Sequence, residues 1–168
     1  MGYTFQELVE KYELIPHPEG GYYKEAYRSL EAIPQTGLPE RFIGERFFST
    51  AIYFLITQGN FSAFHRIKSD ECWHFYAGDT LYIHVIDPDG KYTLLKLGSN
   101  IEKGETFQAI VSTGSWFASE NAPGGVYSFV GCTVTPGFDF ADFKLAKANE
   151  LTNQYPERKT LIERLCRE

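Results

Sequence analysis

The stretch FHRIKSDECWHFYAG, Phe64 to Gly78, decides the reading of this chain. His65 is followed six residues later by Glu71, and Glu71 seven residues later by Gly78. Between the last two runs Cys72-Trp73-His74-Phe75-Tyr76, rich in aromatic rings that pack well on a pleated sheet. In a strand, neighbouring side chains point to opposite faces. Glu71 and Trp73 therefore share one face, and His74 takes the other.

Working outward, residues 49–136 repeat a rhythm of strands and turns. Segments 50–57, 62–67, 72–76, 80–86, 92–96, 107–111, 116–119 and 126–135 read as strands. Asp87-Pro88-Asp89-Gly90 is a hairpin turn, and Pro123-Gly124-Gly125 marks another. Many short strands at regular spacing predict a sandwich or barrel. Upstream, residues 4–12 predict a short helix with Thr4 as cap and Glu7 three residues on. Pro16, Pro18, Gly20 and Gly21 break regular structure, with His17 read as a turn residue. Residues 22–29 are extended, and Tyr23, Glu25 and Tyr27 share a face there. Residues 30–47 read as a long loop, and 145–149 and 157–166 as helices. The expectation is one all-β domain over 1–168. It has an N-terminal helix, strand and loop (1–48), a barrel core (49–136) and a C-terminal segment (137–168).

The chain has 168 residues, enough for one sizeable core. Its net charge of −6 and lack of a basic cluster argue against nucleic acid, which is held by neutralising phosphates. Cys72, Cys132 and Cys166 are odd in number and widely spaced, which predicts reduced thiols, buried in strands in the first two cases. The amphipathic, acidic start MGYTFQELVEKY does not read as a signal peptide. The apolar run at 51–56 is too short to cross a bilayer. A cytoplasmic location with no membrane partner is expected.

The histidine–glutamate–glycine stretch resembles the first signature of the cupin superfamily, His-x-His, Glu, Gly, with Ile67 where the second histidine stands. A second stretch, STGSWFASEN at 112–121, resembles the second cupin signature. Gly114 and Asn121 are in register, Ser112 stands at its proline and Phe117 at its histidine. The resemblance implies the jelly-roll double-stranded β-helix with short terminal helices. More narrowly, the chain resembles an uncharacterised cupin family akin to the sugar-nucleotide 3,5-epimerases (RmlC-like cupins). In cupins two histidines and a glutamate hold a metal with a histidine from the second signature. Here His65 and Glu71 remain. No cofactor is expected, since two protein ligands hold a divalent ion poorly; His65 and Glu71 would be its ligands if one bound.

The resemblance to the epimerases places a histidine base at His65, while Glu71 falls near where they carry a lysine. As a carboxylate beside a histidine, Glu71 reads as partner to that base, and both are candidate catalytic groups. It also implies a homodimer whose early strand crosses to the partner barrel and contributes Tyr23 and Glu25. The bland alternative for His65 and Glu71 is a hydrogen bond that only closes the fold. Trp73 and Phe117 can stack a sugar or base, or fill the core. Arg28 and Arg66 can grip an anion, or lie solvated at an edge. His74 is a further candidate ligand-binding residue on the opposite face, and His84 reads as structural. The expected function is binding of a small polar molecule (a sugar, nucleotide or sugar nucleotide) at the barrel mouth. The alternatives are a metal-independent epimerase or isomerase and a metal-dependent cupin dioxygenase or isomerase.

Overall fold

The computed structural model describes residues 2–167. Helix α1 (Phe5–Tyr12) begins at the expected capping box: the Glu7 amide donates to the Thr4 hydroxyl, and the Glu7 carboxylate accepts from the Thr4 amide. Strands β1 (Ile15–Pro16) and β2 (Tyr22–Arg28) form a hairpin. The loop that follows carries a small pair, β3 (Ala32–Ile33) and β4 (Arg46–Phe47). Then come β5 (Thr50–Thr57), β6 (Phe61–Arg66), β7 (Asp70–Gly78), β8 (Leu81–Ile86), β9 (Tyr92–Leu97), β10 (Gln108–Val111), β11 (Trp116–Asn121) and β12 (Tyr127–Thr135). Strand β13 (Lys144–Leu145), α2 (Ala148–Gln154) and α3 (Lys159–Arg164) follow.

Two antiparallel sheets face each other, one ordered β1-β2-β5-β12-β7-β10 and the other β13-β6-β11-β8-β9. This is the jelly-roll arrangement expected. Alternation builds the core between them: Phe54, Trp73, Ile83, Phe117, Val130 and Val134 all point inward. The outward neighbours are also used. Leu55 and Phe129 lie under α1 with Leu8, while Phe64, Ile86 and Trp116 pack against Leu151 and Ile162 of α2 and α3. Gly78 has φ 92°, and a Cβ there would fall 2.4 Å from the Tyr127 carbonyl oxygen, so no other residue fits.

The structure differs from expectation in three places. Residues 144–145 form β13, with Leu145 opposite His65, and the helix starts only at Ala148. Pairing with β6 overrides the local helical preference. The barrel sheets also reach beyond 49–136, because β2 and β13 join them. Finally, β2 has its place in the sheet of its own chain. It pairs with β5 of its own chain from Tyr22 to Arg28, because the 17–21 turn folds it straight back beside β1.

Candidate active site

Strand β2 therefore lines a cavity of its own chain. The cavity has a volume of about 370 Å³ and opens between the two sheets. Its inner end is polar: His17, Glu19, His65, Glu71 and Cys132. Ile52, Ile67 and Val134 form apolar walls, closed by Phe138, Phe140 and Phe143 from the segment after β12. Lys24, Glu25 and Arg28 stand at the rim beside Tyr23.

Glu19 arrives on the turn 17–21. The His17 amide donates to the Gly21 carbonyl, and the Gly20 amide to the His17 carbonyl. Gly20 and Gly21 have φ 111° and 75°, and a Cβ on Gly20 would meet the Phe61 carbonyl oxygen at 2.0 Å. The turn is thus pressed against β6, and the Glu19 carboxyl enters the barrel instead of solvent. Its residue is 6 % exposed.

His65 is fixed at both ring nitrogens. Nδ1 lies 2.7 Å from the Ala63 carbonyl oxygen, which can only accept, so Nδ1 carries a proton. Nε2 lies 3.0 Å from Oε2 of Glu19. One proton must occupy that second gap. Burial, reinforced by the charge of Glu71, pushes the Glu19 carboxyl well above the usual carboxylate range. Burial also pushes His65 down. Both directions place the proton on Glu19, giving a neutral acid donating to a neutral imidazole. His17 accepts the Glu19 amide at Nδ1 (3.2 Å), and burial lowers it to about 4.

Glu71 lies on β7 facing inward, with Cys132 on the neighbouring β12. Burial raises its carboxyl to about 7, and a hydrogen bond from the Cys132 thiol opposes the rise. Burial and the nearby Glu71 charge push that thiol well up, so it remains a donor. At the rim, Arg28 grips Glu25 with two hydrogen bonds of 2.9 and 2.7 Å, and Lys24 meets Glu13 at 3.2 Å. A buried pair outside the cavity holds its wall: Arg46 binds Asp142 at 2.7 and 2.6 Å, with Lys68 3.6 Å away.

Of the residues singled out in the sequence, His65, Glu71, Tyr23, Glu25 and Arg28 line this cavity. Four others lie elsewhere. Trp73 does share the inward face with Glu71 but sits deeper, edge-on to Phe54 and Phe117. Phe117 packs its ring 4.1 Å from that of His65. Arg66 alternates away from His65 and stacks over Trp116 on the outer face. His74 also points outward, between Thr133 and Gln108. His84 lies outside the cavity, where it joins Tyr92 to Glu120, which Arg164 of α3 grips in turn. The sequence reading missed Glu19, His17 and Cys132 as site residues. The available signal was a glutamate between proline and paired glycines, a turn tight enough to aim one side chain inward.

Two of the four cupin ligand positions carry no donor here. Ile67 adds apolar wall where the second histidine would stand, and Phe117 packs on His65 where the fourth ligand would stand. The Nε2 atom of His65 already faces Glu19. Among the described residues, no three His, Cys, Asp or Glu side chains are grouped to hold a metal ion. Nor is any helix among them long and apolar enough to cross a membrane.

Comparison with known proteins agrees with this architecture. The chain is 36 % identical to a hypothetical protein from Leishmania major, with a TM-score of 0.89 over 99 % of this chain and 100 % of that one. It is 37 % identical to protein SO0799 from Shewanella oneidensis, with a TM-score of 0.88 over 98 % of each. It is also 30 % identical to the uncharacterized protein YML079W of Saccharomyces cerevisiae, over 88 % of this chain and 77 % of that protein. The family described as Cupin superfamily (DUF985) matches residues 6–146, and the chain belongs to that family.

Proposed function

We propose that the cavity binds a small polar molecule with a ring, of the class of sugars, nucleotides and sugar nucleotides. The observation that carries this reading is the pairing of aromatic walls, Phe138, Phe140 and Phe143, with hydrogen-bonding groups at the inner end, Glu19, His65 and Glu71. Small-molecule sites combine mostly apolar walls with a few convergent polar groups, as this one does. A ring lies against the phenyl faces while its hydroxyls reach the carboxyls. Any phosphate stays at the rim near Arg28, because the inner end offers acids and neutral imidazoles instead of cations.

A thermal-shift screen over sugars, nucleotides and sugar nucleotides tests the reading, followed by titration calorimetry of any hit. A compound that raises the melting temperature of the wild type should lose affinity in Glu71→Gln and in His65→Ala. Affinity unchanged within about twofold in both variants removes the cavity as the site. A second reading, that the guest is also turned over by a metal-independent isomerase, is favoured by the proton held between Glu19 and His65.

The assembly belongs to the proposal too. Strand β10 ends the larger sheet as an edge, with Ile110 exposed on it and Phe107 and Tyr76 exposed nearby. Such an edge is commonly covered in a dimer. Sedimentation at micromolar concentration should give a homodimer, and a monomer there removes it.

A further inference from the structure

We propose that Glu71, not His65, is the general base of this site, and that it removes a proton from a carbon next to a carbonyl in the bound guest. This rests on the binding reading above and assigns it a reaction class, a metal-independent proton shift. The resemblance to the epimerases puts the base at His65, and the geometry argues against that. A base needs a free lone pair aimed at the substrate. His65 gives Nδ1 to the Ala63 carbonyl and turns Nε2 onto Glu19 at 3.0 Å. His17 has its Nδ1 filled by the Glu19 amide.

Glu71 is different. It lines the cavity, and its partner is the Cys132 thiol, a weak donor. Around it stand Glu19 from the 17–21 turn, His65 from β6, Cys132 from β12 and Cys72 on its own strand; none is a cation. The cations at the rim, Lys24 and Arg28, are held by Glu13 and Glu25. A carboxylate in a sheltered cavity without a cationic partner is a stronger base than one in water. Burial raises its carboxyl to about 7, which suits proton transfer near neutral pH.

The step balances without cofactor or redox partner. The Glu71 carboxylate takes the proton, the C–H electron pair forms the enolate double bond, and the carbonyl π pair moves to oxygen. Glu19, the neutral acid, turns its proton from His65 to that oxygen, and a proton from the neighbouring hydroxyl restores it. Glu71 then returns its proton to the neighbouring carbon. The chemistry fits a 2-hydroxy carbonyl compound such as an open-chain sugar.

The base is tested with 5-nitrobenzisoxazole, a neutral ring. Loss of its C3 proton breaks the N–O bond and releases a coloured cyanophenolate. The wild-type protein should accelerate this opening over buffer, with a rate that rises from acid to a plateau around neutral pH. Glu71→Gln, checked for folding by its melting curve, should lose at least about tenfold, and Glu71→Asp should fall between. His65→Ala should lose less than Glu71→Gln. A wild-type rate within about twofold of Glu71→Gln, at any level, overturns the assignment, as does a larger loss in His65→Ala. Compounds that shift the melting temperature while the ring opening ignores Glu71 leave the binding reading standing and sink only the base. A screen with no shift sinks the binding reading.

Discussion

Arg167 donates from Nε to the backbone oxygen of Glu19 at 3.0 Å, across 148 residues of sequence. The same oxygen accepts the Ala63 amide at 2.8 Å. Arg167 Nη2 also reaches Asn60 Oδ1 and the Phe61 carbonyl oxygen, with the guanidinium 4.3 Å from the centre of the Phe61 ring. A residue outside the cavity thus braces the turn that delivers its buried acid. Arg167→Ala should lower stability by about 1 kcal/mol, since the side chain is partly solvated. It should also weaken guest binding, while Arg167→Lys restores part of both. Melting curves and calorimetry check this, and binding unchanged in Arg167→Ala would remove the bracing role.

The buried Arg46–Asp142 pair should be costly to break from one side. Asp142→Ala leaves a guanidinium in a site where its side chain is 4 % exposed. The expected loss is at least about 3 kcal/mol, because Lys68, 3.6 Å from the same carboxylate, is left as a second cation without its partner. Removing both partners with Arg46→Met and Asp142→Leu should recover much of it. Denaturant unfolding measures both. Equal losses in the single and double variants would sink the argument.

Stability should respond to pH through Glu71. Its carboxyl titrates near 7 folded, against a usual 4.5, so the folded chain binds more proton between those values. That contribution to stability falls as pH rises through the window. His17, lowered to about 4, acts in the opposite sense and loses stability as pH falls below 6.5. The two partly cancel in the wild type. Glu71→Gln removes one side, so its stability relative to wild type should rise between about pH 5 and about pH 8, by up to about 3 kcal/mol. Unfolding at the two pH values tests this; a constant difference would refute it.

The protein as purified and dialysed should carry well under one transition-metal ion per chain, because Ile67 and Phe117 replace two donors. Elemental analysis decides. Near one equivalent, lost in His65→Ala, would overturn the metal-free expectation. Restoring a donor with Ile67→His should raise zinc uptake.

Much of the fold was legible because alternation and turns are local signals. Strand 50–57 and the Asp87–Gly90 turn follow directly from neighbours in sequence. Residues 144–145 did not, because their strand exists only by pairing with β6. The site divides in the same way. Glu71 and His65 were found from their spacing, and the outward position of His74 from alternation. Glu19 was hidden because what buries it is a close approach of two backbones distant in sequence, at Gly20 and Phe61. Cys132 looked like ordinary core because its chemistry lies only in the carboxyl beside it.

The wall formed by Phe138, Phe140 and Phe143 hangs outside the strand ladders, tied down through Asp142 and through the Phe138 carbonyl to Arg28. Of the proton-handling groups, Glu71, His65 and Cys132 sit within the ladders themselves and Glu19 on the turn between β1 and β2. The size of the chamber and its chemistry are therefore written in separable parts of the chain. A lineage built on this plan can change which guest it accepts by substitutions in one short loop, and keep its chemistry intact through the change.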